Sequence, residues 1–371
     1  MSMEELIARY DKSRMIDLIL KSPQEFEKYL EAYKEVEFPR EVGGVASLPR
    51  TGEWRNVVIL GMGGSAIVGD VVHGYLYDKL SIPVEVVRSP QPPRSLGNRT
   101  LMVSVSYSGN TVETITATLE GLRRGAYPVI VTSGGMLRKL ATRLGAPLYE
   151  LPPGRPPRTA LSPMLAAVLR ALEAAGLLKL GHEVESAAES ARALVREIRT
   201  NLAGSIPARV AKALEGRVPL VYSYQPYTPL GYRLKTQLNE NAKYHAFFME
   251  LPEGNHNEVM GWEGRVIAKF HAVFIRGHEE LPEISVCLEY WREVLREKGV
   301  EVSELRSRSQ NRLAEYLELM VMVDLTSYIL ALNLGVDPTP VATISRLKHL
   351  LESKLEVSAR LERRIERLLR G

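Results

Sequence analysis

Cysteine is almost missing from this 371-residue chain. Cys287 is the only one, so an intrachain disulfide framework is excluded and a reducing, intracellular setting is favoured. Histidine is scarce as well: the seven, at 73, 182, 245, 256, 271, 278 and 349, are scattered and none pairs with another at metal-ligand spacing. No catalytic metal and no cofactor is therefore expected. No uninterrupted apolar run approaches ~18 residues, so no membrane-spanning helix is expected. The opening MSMEELIARYDKSR is charged from the start and lacks the apolar core of a secretory signal, which points to the cytoplasm. A strong excess of one charge is lacking too. A net charge of +4 inclines the chain mildly toward anionic ligands and away from nucleic acid.

The composition that remains is that of a soluble globular protein, with 45% apolar and 25% charged residues. The length suffices for one large or two medium α/β domains. The most informative stretch is Asn56–Asp70, NVVILGMGGSAIVGD. Its β-branched run followed by glycines predicts a buried parallel strand, 56–60, turning tightly into a helix, 65–78. Glycines such as Gly64 let the backbone approach an anion, the helix N-terminus offers unpaired N–H groups, and Ser65 adds a hydroxyl. Gly61, Gly63 and Ala66 also fit the dinucleotide spacing G-x-G-x-x-A, so a nucleotide is a rival ligand at this point. A second strand-to-helix turn follows in Leu101–Thr114, where Ser106, Ser108 and Thr111 surround Gly109. A dinucleotide fold has no need of this second cradle. A monophosphate held by two loops has.

The rest of the chain alternates strand and helix patterns: strands at 83–87, 101–105, 128–132 and 147–150, helices at 110–124 and 136–143. A proline-rich hinge, LPPGRPPRT at 151–159, separates this series from helices at 160–176 and 182–204. A second series follows, with strands at 218–222, 266–275 and 300–305 and helices at 230–243, 283–298 and 311–333. The alternation predicts parallel sheets with helices on both faces, and ligands at the carboxyl ends of the strands. Two helices are expected within 3–34, with Ser22-Pro23 capping the second, and one basic amphipathic helix over 341–370. Glutamates 352, 356, 362 and 366 interleave its basic residues, which argues against membrane or nucleic-acid contact.

Several side chains are candidates for chemistry. Glu240, between two amides in NENAK, is either a general base or an exposed helix-end glutamate. His256, in the polar loop GNHNE, is either a proton shuttle or a loop histidine with a hydrogen bond. Arg155 and Arg158, among the hinge prolines, suit either an enolate-type oxyanion or a salt bridge. Lys348 is a lone helical lysine whose default is solvent, and Cys287 reads as a small core residue.

Both Ser/Thr loops, PPRTAL, NENAK and the HNE loop occur in an order that resembles the archaeal bifunctional phosphoglucose/phosphomannose isomerases of the sugar-isomerase (SIS) fold, over residues 50–350. The resemblance implies an α/β fold of two SIS subdomains, each a mostly parallel sheet in a three-layer αβα arrangement. With the helical patterns at both ends, the chain is expected to divide into an N-terminal helical segment at 1–50, the subdomains at 51–155 and 216–340, a helical connection at 156–215 and a C-terminal helix at 341–371. The resemblance further implies a metal-free homodimer that interconverts glucose 6-phosphate, and mannose 6-phosphate, with fructose 6-phosphate through a cis-enediolate. Gly64, Ser65, Ser106, Ser108 and Thr111 would hold the phosphate, Glu240 would move the proton from C2 to C1, and Arg158 would stabilise the enediolate. His256, donated by the neighbouring subunit, would open the sugar ring with help from Lys348. Thr339 and Thr343 are both candidates for the threonine linked to dual specificity. Two other readings stay open: a non-catalytic phosphosugar-binding regulator, and a nicotinamide enzyme. Against the latter, the second strand ends in Arg88 rather than in an acidic ribose-binding residue.

Overall fold

Apolar β-branched runs punctuated by glycine become strands and the periodic stretches become helices, and a computed structural model describes them over residues 1–370. Helices α1 (Met3–Tyr10) and α2 (Met15–Ala32) precede a small antiparallel ribbon, β1 (Glu41–Val42) and β2 (Ala46–Ser47). Then come β3 (Asn56–Leu60), α3 (Gly64–Tyr75), β4 (Val84–Val87), β5 (Thr100–Val105), α4 (Val112–Arg123), β6 (Tyr127–Thr132), α5 (Gly135–Leu144) and β7 (Leu148–Glu150). A 3-10 turn at Pro157–Ala160 leads into α6 (Leu161–Ala174). The chain continues with α7 (His182–Thr200), α8 (Ile206–Leu214), β8 (Val218–Tyr224), α9 (Thr228–Glu240) and β9 (Phe247–Leu251). Two 3-10 turns, Glu253–His256 and Glu258–Glu263, lead to β10 (Phe270–Arg276), α10 (Pro282–Glu297), β11 (Glu301–Arg306) and α11 (Arg312–Asn333). Helices α12 (Ala342–Leu355) and α13 (Val357–Arg370) follow.

Two compact units result: residues 25–181 with the segment from 341 onward, and residues 1–24 with 182–340. The first holds a five-stranded sheet in the order β4-β3-β5-β6-β7, every pair parallel. From β3 the chain steps first to β4 and then back to β5 on the other side. Right-handed crossovers therefore put α3 and α4 on opposite faces. α6 packs beside α3, and α13 lies on α4. The loops after β3 and β5 emerge side by side at this reversal, where open parallel sheets bind ligands.

The second unit repeats that plan with a four-stranded parallel sheet, β11-β10-β8-β9, which reverses between β8 and β10. Its core is α11, buried at every position from Arg312 to Leu332 and packed against α7, α8 and α9. A helix buried all round must satisfy whatever charges it carries. Asp324 of α11 accepts two hydrogen bonds from Arg233 of α9, at 2.9 and 2.7 Å, and one from Gln237 at 2.8 Å. Ser327 accepts from Asn241 at 2.9 Å. Residues 233, 237 and 241 recur every fourth position, so one polar stripe fixes the register of α9 on α11.

The two-sheet α/β expectation holds, and several boundaries move. Ser22-Pro23 caps nothing, because Pro23 lies inside α2. That helix is started instead by the Asp11 carboxylate, which accepts from the N–H groups of Met15 at 2.8 Å and Ile16 at 3.0 Å. The helix expected over 182–204 ends at Thr200, and α8 restarts behind the N-cap Ser205. The strand expected at 266–275 begins at Phe270, and β9 was not anticipated because FFMEL is short, half-exposed and at the sheet edge. The single C-terminal helix is broken at Glu356, which takes a left-handed conformation with φ +44°. Cys287 is half-exposed rather than in the core, and its Sγ accepts from Asn255 Nδ2 at 3.0 Å.

Substituting Arg233→Met should strand the buried Asp324 carboxylate and lower the unfolding free energy by about 3–5 kcal/mol, read from a denaturant midpoint at unchanged slope. A pH dependence follows from His271, which is buried between Arg217 and Ser303. Arg217 can only donate, so Nδ1 of His271 accepts at 3.0 Å and Nε2–H donates to Ser303 Oγ at 2.8 Å. Burial, reinforced by the Arg217 guanidinium, pushes this imidazole down to about 4, with Glu301 opposing. Its neutral form is the native one, so the unfolded chain takes the proton first. Stability should therefore be complete above pH ~6.5 and fall by at most about 1.4 kcal/mol per unit toward pH 4. The slope over that window should flatten in His271→Gln.

Candidate active site

Three helices begin at the carboxyl edge of the first sheet: α3 after Gly63, α4 after Thr111 and α5 after Gly134. α3 and α4 present N–H groups without intrahelical partners and the positive end of a helix dipole, which is a setting for an anion, whereas at α5 the N–H groups of Met136 and Leu137 donate to Asn110 Oδ1 and the Gly109 carbonyl. Ser65, in the first turn of α3, is buried, and its Oγ accepts from the Tyr107 N–H at 3.2 Å. That bond joins the first loop to the second while leaving the Ser65 hydroxyl hydrogen to donate. In the second loop Ser106 Oγ–H donates to Thr111 Oγ1 at 2.9 Å, and Ser108 Oγ accepts from the Asn110 N–H at 3.3 Å. Ser106 is fully buried behind Thr111, and Ser108 is exposed.

A third loop, Ser133–Gly135, supports the second and was not anticipated from the sequence. Gly109 has φ +67°, and a Cβ there would lie 1.8 Å from the Gly134 carbonyl oxygen. Ser133 Oγ–H donates to the Tyr107 carbonyl at 2.6 Å, and Asn110 Oδ1 accepts from the Met136 N–H at 3.0 Å. The glycine pair at 134–135 was the available signal, but nothing in the sequence says which loop it meets. Tyr107, also not singled out beforehand, ties the second loop to the proline hinge. Its OH donates to the Pro152 carbonyl at 2.7 Å and accepts from the Arg155 N–H at 3.1 Å.

The hinge arginines have separate roles. Arg155 makes a two-pronged pair with Glu25, at 2.7 and 2.8 Å, and so takes the salt-bridge role. Arg158 is 3% exposed in the 3-10 turn, and its backbone lies so close to Gly64 that a Cβ on Gly64 would sit 3.3 Å from Arg158 Cα. The Arg158 backbone packs against the start of α3, with its side chain out of solvent. Gly64, Ser65, Ser106, Ser108, Thr111 and Arg158 are thus gathered at one edge of one sheet. Arg88, at the end of β4, pairs with Asp70 of α3.

The other candidates lie on other elements. Glu240 ends α9 and is half-buried. Its neighbours hold the chain around it: Asn239 Nδ2 donates to the Tyr244 carbonyl at 2.8 Å, and Asn241 to Ser327. His256 follows β9 and is exposed. Its neighbours are likewise anchored, with Asn255 accepting from Trp291 Nε1 at 2.6 Å and Glu258 from the Tyr222 OH at 2.6 Å. Burial holds the Glu258 carboxyl above its ordinary range. Glu240 precedes β9 and His256 follows it, so the two leave opposite ends of one strand. Lys348 is exposed on α12, a helix with no buried residue, and Thr343 is exposed on it too. Thr339 is half-buried before α12, and its N–H donates to Asp337 Oδ1 at 2.9 Å. Among the described residues no three His, Cys, Asp or Glu side chains cluster as metal ligands, and no helix is long and apolar enough to cross a membrane.

Residues 205–351 match the family described as bacterial phospho-glucose isomerase C-terminal SIS domain. The bifunctional phosphoglucose/phosphomannose isomerase of Aquifex aeolicus is 33% identical over 301 residues, covering 81% of this chain and 91% of that protein. The chain belongs to the bifunctional phosphoglucose/phosphomannose isomerase family. Within that relationship the D-glucosamine-6-phosphate 4-epimerase of Sulfolobus acidocaldarius is also similar, 33% identical over 63% of this chain and 70% of its own length. The fold is shared more widely. A hypothetical protein from Thermus thermophilus superposes with TM-score 0.70 at 18% identity, over 95% of this chain and 93% of its own. The family match of 205–351 takes in NENAK, the HNE loop and Lys348, while the Ser/Thr loops and Arg158 lie before it.

The loop packing is open to a direct check. Gly109→Ala forces a Cβ into a left-handed backbone and against Gly134, and should cost at least about 2 kcal/mol of stability, measured by denaturant unfolding.

Proposed function

We propose that this chain interconverts glucose 6-phosphate and mannose 6-phosphate with fructose 6-phosphate by proton transfer between adjacent carbons. The observation that carries the reading is the cradle of the α3 and α4 N-termini with Ser65, Ser108 and Thr111 hydroxyls beside the buried Arg158. Such a cradle suits a terminal phosphate, whose binding energy can position the reacting carbons at the far end of the sugar. Ser106 supports Thr111, and Gly64 keeps the backbone close enough to donate.

Glu240 takes the C2 proton and returns it to C1. A carboxylate on a helix end fixed by Asn239 and Asn241 is held in one place while it shuttles a proton. Arg158 stabilises the cis-enediolate between the two transfers. His256 opens the ring with Lys348, and we assign His256 to the partner subunit's site in a homodimer. Its exposure and its position at the opposite end of β9 from Glu240 support that assignment. The exposed leucines of α12, at 347, 350, 351 and 355, suit a surface covered in an assembly. The reaction needs no metal or cofactor, and a cytoplasmic location accords with sugar-phosphate substrates.

Ketose formation decides against both a 4-epimerase and a mere sugar-phosphate sensor. Fructose 6-phosphate should appear from each aldose phosphate, with no loss in EDTA. Glu240→Gln should lower kcat by about 10²–10⁴-fold while fructose 6-phosphate still binds in calorimetry. Retained turnover in that variant would remove Glu240 from the mechanism. Subunit sharing has its own signature: Glu240→Gln and His256→Ala homodimers should both be inactive, and co-refolding them should restore about a quarter of full activity through mixed dimers. No recovery on mixing would place His256 in its own subunit's site.

A further inference from the structure

Just past the end of α9 stands a lysine where the backbone favours glycine. Lys243 has φ +54°, in the left-handed region. Helices often close on a residue in that conformation, usually Gly and sometimes Asn, because a Cβ is unfavourable there. What the lysine adds is its ammonium. Nζ of Lys243 donates to the carbonyl oxygens of Glu240 at 2.8 Å, Asn241 at 3.2 Å, Pro338 at 3.0 Å and Asp337 at 3.1 Å. An ammonium has three N–H groups, so at least one of them is shared between two oxygens.

The four carbonyls come from two segments far apart in sequence. Those of Glu240 and Asn241 terminate α9, where the last carbonyls lack intrahelical donors and the helix dipole is negative. Those of Asp337 and Pro338 belong to the turn that follows α11, immediately before Thr339. The same turn is tightened by the Thr339 N–H donating to Asp337 Oδ1 at 2.9 Å. At the helix end the Tyr244 N–H returns to the Leu238 carbonyl at 3.1 Å.

We propose that Lys243 is a positioning residue, whose ammonium clamps the base-bearing end of α9 to the Asp337–Thr339 turn so that Glu240 and Thr339 are placed together. The proposal rests on Glu240 acting as the base, as inferred above. Lys243 is itself exposed, so its bonds are made partly in water and contribute little to overall stability. Their effect is geometric, and small misplacement of a catalytic group is costly in rate.

Lys243→Gly separates the clamp from simple helix termination, because glycine closes the helix at least as well and relieves the left-handed backbone. The clamp predicts that Lys243→Gly and Lys243→Met lower kcat for glucose 6-phosphate about ten- to a hundredfold while KM stays within about twofold. Thermal midpoints should remain near that of the unaltered protein, and Lys243→Arg, which keeps a multidentate cation, should recover part of the rate. Hydrogen exchange gives a second readout on the same variants. The amides of Tyr244 and Thr339 should exchange faster together in the Gly and Met variants, and near the normal rate in the Arg variant. Full turnover in Lys243→Gly, or faster exchange at only one of the two segments, overturns the proposal. If the unaltered protein does not isomerise, or Glu240→Gln stays active, the base assignment is what fails. The exchange comparison then still decides whether the clamp exists.

Discussion

A buried ion pair sets the geometry of the second unit. Arg233, at 2% exposure, and Asp324 lie between α9 and α11, with Gln237 completing the carboxylate's hydrogen bonds. Such a pair contributes little net stability over an apolar substitute, yet it tolerates only one alignment of its helices. Along α11, Glu315 accepts from the Tyr227 OH at 2.6 Å and Glu318 from Ser307 Oγ at 2.5 Å, so each buried carboxylate is met by a donor. The stripe of Arg233, Gln237 and Asn241 on Asp324 and Ser327 sets the alignment of α9 on that helix. The last turn of α9, and Glu240 with it, is thereby held to a fixed height on the core.

The first unit solves its positioning problem with backbone. Its three loops are held by glycine contacts and by short bonds from hydroxyl and amide groups, in which Tyr107 joins the Ser65 turn, the Ser133 loop and the proline hinge. Hydroxyls and peptide N–H groups provide an anion with donors that need no change of protonation. Arg158 supplies the only full charge among the residues gathered there. One unit is thus organised by ionic side chains within its core and the other by main-chain proximity at its edge.

The alternation of strands and helices was legible because both sheets are parallel and their central strands form continuous apolar runs. The two Ser/Thr loops were legible because glycine and hydroxyl residues cluster where a strand ends. Less visible were features determined by remote partners. Pro23 in α2 reads as a helix start, but the helix begins eight residues earlier, where the Asp11 carboxylate takes the N–H groups of Met15 and Ile16. Strand β9 is short and polar-flanked, and exists because β8 offers an edge. Arg155 and Arg158 look equivalent in sequence, but Glu25, 130 residues away, separates their roles. Lys243 is an ordinary residue in NENAK until its four carbonyl partners are seen.

The order in which the chain visits its two units carries a practical consequence. Residues 1–24 belong to one, 25–181 to the other, 182–340 return to the first, and the segment from 341 onward rejoins the second. Each unit is therefore sewn from two stretches of polypeptide, and three crossings link them. A single protease nick or gene truncation cannot liberate either one intact, since every one-cut fragment carries an incomplete body along with it. Splitting this protein for separate expression calls for circular rearrangement or a bridging linker.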